Sequence, residues 1–139
     1  MTRVDFYVTT SRQPESRLSV AVRLAEKAYH RGHRVLINAD TESNAKTIDD
    51  LLWSQKAVSF VPHALMSSTT PEDVTITWGQ EPDNHDDVLI NLALTAPPWF
   101  SRFQRVAEVV SQDPSALAAL RDAWRFYRDR GYPLKKHDL

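Results

Sequence analysis

The run "RVLIN" at residues 34–38 carries three apolar residues in succession with no polar interruption. A strand with one face in water alternates apolar and polar side chains. A continuously apolar strand is covered on both faces, as in a parallel sheet between helices. Its surroundings fit that reading. Residues 3–10, "RVDFYVTT", are rich in β-branched and aromatic side chains and read as a first, central strand. Between the two strands, apolar residues recur at Leu18, Ala21, Val22, Ala25, Ala28 and Tyr29, a helical stripe that Pro14 opens and Gly32 stops. Beyond residue 38, Asp40 or Thr41 is placed to cap a second helix through "DTESNAKTIDDLLWS", with Ala45, Ile48 and Leu52 facing inward. Strand, helix, strand, helix is the opening of a parallel α/β sheet.

The remainder extends this pattern. "SSTTPED" (67–73) reads as a loop, and residues 74–78 and 87–94 as two strands joined by the polar "GQEPDNHD". Residues 105–110 make a fifth strand, and Asp113-Pro114 launches a last helix over 115–130, ended by Gly131. The expectation is an α/β chain forming a single domain over residues 1–139. It has three layers: a mostly parallel sheet of about five strands with helices on both faces, Rossmann-like without a phosphate loop. No run approaches membrane-spanning length, the N-terminus lacks an apolar signal segment, and there is no cysteine; a cytoplasmic protein is the simplest reading.

Glycine supply tests the nucleotide-binding option that such a sheet invites. Phosphate loops need glycine so that backbone amides can approach phosphate oxygens. The turn after the first strand, "TTSRQPESR", has none, and the chain holds only Gly32, Gly79 and Gly131. His30 and His33 have metal-ligand spacing, but Gly32 ends the helix between them and no third ligand is spaced to join them. Glu81, Asp83, Asp86 and Asp87 lack the alternation and turn glycine of a calcium loop. No nucleophile elbow accompanies the serines. The expectation is therefore no catalysis, no cofactor and no metal. The formal net charge of −1 also argues against a protein that coats nucleic acid through bulk electrostatics.

Two patches remain. On the last helix, Leu117, Leu120, Ala123, Trp124 and Tyr127 share an apolar arc, and Arg121, Arg125 and Arg128 fall on the adjoining arc. These arginines suit either a solvated helix whose arginine stems shield its apolar edge, with Arg125 spaced to pair with Asp122 and Asp129, or a groove for an acidic peptide with an aromatic residue. Lys135 and Lys136 in "GYPLKK" add charge at the same end of the chain. In the second patch, "DDLLWSQKAVSFVPHAL" at 49–65, Trp53, Phe60 and Pro62 suit either a cover for the sheet's lower edge or a hydrophobic partner site.

The segment "LLWSQKAVSFVPHAL", with its Leu-Trp and then Ser-Phe-Val-Pro-His, resembles the signature of the chi subunit family of bacterial DNA polymerase III. The likeness continues through "FYV", "RGHRVLI", "DVLINL", "AEVV" and "RDAWRFYRDRGYPL", nearly the whole chain in order. The resemblance implies a non-catalytic replisome accessory subunit with a nucleotide-binding-like fold and no nucleotide chemistry. It implies two partners: the psi subunit, which tethers chi to the clamp loader, and the acidic, phenylalanine-ended C-terminal tail of single-stranded DNA-binding protein. Trp53, Phe60, Val61, Pro62 and His63 match the psi-binding surface. Arg121, Trp124, Arg125 and Arg128, with Lys135 and Lys136, match the tail-binding region. Contact with nucleic acid is then only indirect. Two readings from other classes stand beside this one. A small nucleotide- or metal-dependent α/β enzyme is disfavoured by the missing motifs, and a direct single-stranded DNA binder by the near-neutral charge.

Overall fold

A computed structural model describes residues 1–54, 62–65 and 73–139. In chain order these residues form β1 (Arg3–Val8), α1 (Ser16–His30), β2 (Val35–Asn38), α2 (Glu42–Trp53), β3 (His63–Leu65) and β4 (Val74–Thr77). There follow β5 (Val88–Asn91), a 3₁₀ turn at Phe100–Arg102, β6 (Arg105–Val110), α3 (Pro114–Asp129) and β7 (Leu134–Asp138). Among the described residues the sheet has seven strands, all parallel, in the order β3-β4-β2-β5-β6-β1-β7.

The α/β class and its parallel sheet match the sequence reading, with two corrections. Two strands, β3 and β7, join the expected five. The first is only three residues long, too short for a period to show, and the second, "LKKHD", has the composition of a solvated tail. β1 is not central: it lies between β6 and β7, one position from an edge, and β5 occupies the middle. Burial on both faces says that helices cover a strand, not how many strands flank it. The expected loop at 67–73 lies outside the described residues except for Asp73.

Helix ends follow local chemistry. Thr41 caps α2, its Oγ1 accepting from the Asn44 amide at 3.0 Å, and Asp113 caps α3 by accepting from the Ala116 amide at 3.3 Å with Pro114 behind it. Gly131, at φ +82°, supplies the left-handed residue that turns the chain from α3 toward β7.

Two cores sandwich the sheet. On one face α1 and α2 bury Ala21, Val22, Ala25, Ile48 and Leu52 against Val35, Ile37, Ile76 and Ile90. On the other, Ala116 and Tyr127 of α3 close over Val4, Phe6, Leu36, Leu89 and Val106, with Phe100 and Phe103 completing the layer. Among the described residues no helix is long and apolar enough to cross a membrane.

One row of the sheet runs across the α3 face from strand to strand: Thr77, Asn38, Asn91, Glu108, Phe6, Lys136. Its polar half forms a chain of hydrogen bonds. The Gly79 amide donates to Asn38 Oδ1 at 2.9 Å, Asn38 Nδ2 to Asn91 Oδ1 at 2.9 Å, and Asn91 Nδ2 to both Glu108 carboxylate oxygens at 3.1 Å. Buried amides are tolerated here because each finds its partner. The row's other end leads to the surface at Lys136.

Candidate functional site

The groove beside α3 is built from that row upward. Phe6 lies under Trp124, ring centroids 5.2 Å apart and tilted, so the indole rests on the sheet while its helix neighbours face solvent. Tyr127, fully buried, anchors the helix one turn further on. Positions 121, 125 and 128 then fall together on the exposed flank, as spacings of four and three residues require. Leu120, Arg121, Trp124, Arg125 and Arg128 line a groove of about 340 Å³, and Lys136 closes it from β7. The solvated-edge reading has the arginine stems shielding the helix's apolar edge, with Arg125 able to be held by Asp122 and Asp129. Instead it is Arg128 that is held, to Asp129 at 3.2 Å, and both side chains are exposed. Such a surface pair is worth about 0–1 kcal/mol and yields easily to a better anion. Arg121 and Arg125 have no ion-pair partner among the described residues. The groove thus combines an apolar floor with guanidinium forks suited to carboxylates.

The two lysines separate. Side chains alternate along a strand. Lys136 pairs in register with Phe6 on the α3 side, and Lys135 with Asp5 on the opposite side, where the next residue but one, His137, stacks on Tyr7 at 4.6 Å. Lys135 therefore does not line the groove. Phe6, which supports Trp124 from within the core, was not among the site residues expected from sequence, because only the strand register brings it beneath that ring.

Of the second patch, Trp53, Pro62 and His63 lie at the other edge of the sheet among the described residues. Trp53, at the last position of α2, is 61% exposed, because Ala45, Ile48 and Leu52 take the buried stripe. Its ring stands edge-on to His63 of β3 at 5.0 Å. His63 is buried, with Nε2 3.3 Å from Asp49 Oδ1, so it supports Trp53 from below instead of meeting solvent itself. Pro62 is half-buried, while Phe60 and Val61 lie outside the described residues.

At the turn after β1, where a phosphate loop would sit, the first amides of α1 are already engaged. Ser16, Arg17 and Leu18 donate to the carbonyls of Gln13, Pro14 and Glu15 at 3.0, 3.3 and 3.1 Å. Arg17, buried, fills the adjoining space: its Nη1 donates to the Leu92 carbonyl and its Nη2 meets Asp40 at 3.3 Å. His33, one of the two candidate metal ligands, bonds through Nδ1 to Asp87 at 3.1 Å.

Fold and groove define a class: a Rossmann-like parallel α/β domain whose last helix presents an open cationic, aromatic-floored groove at a sheet edge. Within that class, the sequence model of the family described as "DNA polymerase III chi subunit, HolC" matches residues 1–135. The chain belongs to that family of DNA replication subunits. It is 46% identical to the DNA polymerase III subunit chi of Pseudomonas aeruginosa, over 100% of this chain and 98% of that protein. It is 28% identical to the protein of the same name from Haemophilus influenzae (97% and 96% of the two chains) and 31% identical to that of Escherichia coli (80% and 78%).

Proposed function

We propose that this chain is a non-catalytic accessory subunit that bridges two replisome partners. One is the psi subunit of the clamp loader, received at Trp53, Phe60, Val61 and Pro62 with His63 as support. The other is the acidic C-terminal tail of single-stranded DNA-binding protein, received by Arg121, Trp124, Arg125, Arg128 and Lys136. The observation that carries the reading is the separation of Trp53 from the groove. Trp53 stands beside β3 and the groove beside β7, which among the described residues are the opposite edges of the sheet. Interstrand spacings of ~4.8 Å put these edges roughly 30 Å apart. Two partners at that distance need not collide, and simultaneous engagement is what a bridge requires.

The chemistry of each patch supports its partner. An exposed tryptophan backed by a buried histidine is an anchor of the kind that dominates protein interfaces. The groove matches a peptide with several carboxylates, a terminal carboxylate and one aromatic ring.

The test is a capture experiment on an immobilised acidic peptide ending in phenylalanine, with soluble psi supplied as second partner. The expected result is a ternary complex. Trp53→Ala should lose psi and keep the peptide, and Arg121→Ala should do the reverse. Mutual exclusion of the two partners, or loss of both by either variant, overturns the bridge.

A further inference from the structure

This inference rests on reading the α3–β7 groove as the seat of an acidic peptide, and concerns how that peptide is held. β7 is an edge strand: β1 pairs with one side, and among the described residues no strand pairs with the other. Bonds at its two ends fix its phase. The Val4 amide donates to the Pro133 carbonyl, and the Leu139 amide to the Val8 carbonyl, each at 3.0 Å. Backbone groups of successive residues in a parallel strand point to alternate neighbours. Residues 133, 135, 137 and 139 therefore turn their amides and carbonyls toward β1. Leu134, Lys136 and Asp138 turn theirs to the open edge. The side chains of these same three lie on the α3 face, where Leu134 packs into the core. Lys136 thus offers an ammonium to the groove and a backbone amide to the edge beside it.

An open edge is a template for any extended chain, and charged side chains, lysine above all, are the usual guard against unwanted pairing. Lys135 and Lys136, both exposed, guard this edge against a second copy of the same cationic strand. An acidic segment meets the opposite field. We infer that the acidic peptide seated in the groove also adds to the sheet as a strand against β7, its backbone bonded to Leu134, Lys136 and Asp138.

This arrangement brings in Lys135, which faces away from the groove. In an added strand, successive peptide side chains fall on opposite faces of the sheet. One carboxylate then meets Lys136 and the arginines, and the next meets Lys135 across the ladder. A peptide lying in the groove without pairing reaches only the first set. Asp138, paired with Lys136 at 3.4 Å, is the acidic residue of β7 and marks where a carboxylate-rich strand is least welcome.

The experiment uses a synthetic acidic peptide ending in phenylalanine, N-methylated at one backbone amide at a time, with affinity read by fluorescence anisotropy on the full chain. Methylation should weaken binding about tenfold at alternate positions and leave the intervening positions unchanged, since each edge-facing amide loses a hydrogen bond and gains a clash. Lys135→Ala, an exposed change on the far face, should weaken binding about threefold. If every methylated peptide binds like the parent and Lys135→Ala is silent while Arg121→Ala still weakens binding, the peptide lies in the groove without joining the sheet. Strand addition is then overturned and the groove reading stands. If the parent peptide does not bind, or Arg121→Ala has no effect, the groove reading falls and this inference with it.

Discussion

The Tyr127 hydroxyl donates to Glu108 Oε2 at 2.6 Å, joining α3 to the buried polar row of the sheet. Through Asn91 and Asn38 the same chain of bonds reaches the Gly79 amide beyond β4. The helix that carries the arginines is thus located by one polar contact as well as by packing. Apolar surfaces slide over one another at little cost, whereas a short hydrogen bond in a dry interior has one good geometry. The bond lies one turn beyond Trp124, whose ring packs on Phe6.

Tyr127→Phe should lower stability by about 1–3 kcal/mol, since it leaves a buried carboxyl group short of a donor. Urea denaturation followed by circular dichroism gives the shift. Peptide affinity should fall with it, because the groove's two walls, α3 and β7, lose their fixed spacing. An unchanged denaturation midpoint would show that apolar packing alone seats the helix.

Glu108 should make the stability of the fold depend on pH. Burial pushes its carboxyl up to about 7 from 4.5, and the bonds from Tyr127 and Asn91 pull it only part of the way back. A carboxyl raised in this way holds its proton longer folded than unfolded. Its contribution to stability is fully present below about 4.5 and is lost as pH rises through about 7. The loss between those limits should be on the order of 3 kcal/mol. Glu108→Gln removes the titrating group and should flatten that part of a stability-against-pH profile. Parallel profiles for the two proteins would mean that burial does not raise the Glu108 carboxyl.

The sequence showed what periodicity can show. Three helices and five strands were legible because their apolar residues recur at helical spacing or run unbroken between turn residues, and Thr41 and Asp113 fell at capping positions. Order across the sheet was not legible, since it depends on which edges meet. Nothing in "RVDFYV" says that "LKKHD" will pair with it. For the same reason the sequence could group Arg121, Arg125 and Arg128 by helix geometry, yet could not separate Lys135 from Lys136. That distinction needs the alternation of a strand whose composition resembles a tail. The burial of His63 was hidden too, because a strand of three residues is too short to show a period.

Trp53→Ala should leave the fold intact, with stability within about 1 kcal/mol of the parent, because the ring is largely in solvent. His63→Ala should cost more, as it empties a buried site beside Asp49. Binding of psi should weaken by ~2 kcal/mol or more in Trp53→Ala, in line with a tryptophan anchor. Thermal unfolding and titration calorimetry on the same samples separate the two effects. Unfolding of Trp53→Ala would return the residue to the core, and normal psi binding by a folded variant would remove it from the interface.

The groove arginines should differ from one another in a set order. Arg121 and Arg125 stand without ion-pair partners among the described residues, whereas Arg128 must leave Asp129 before it meets a peptide carboxylate. Arg121→Ala and Arg125→Ala should each weaken an acidic, phenylalanine-ended peptide by about 1–3 kcal/mol. Arg128→Ala should cost somewhat less, because Arg128 must give up its pair with Asp129 before it contributes to binding. Asp129→Asn should strengthen binding, since it frees Arg128 and removes a like charge from the peptide's path. All of these differences should shrink as salt is raised, because the groups are exposed and screened. Removing the terminal phenylalanine should abolish binding at every salt concentration, since the contact of its ring with Trp124 and Leu120 is not ionic. Anisotropy titrations at two ionic strengths distinguish the patterns. Equal, small losses for all three arginines, with no gain from Asp129→Asn, would mean a diffuse cationic surface instead of a groove with a defined occupant.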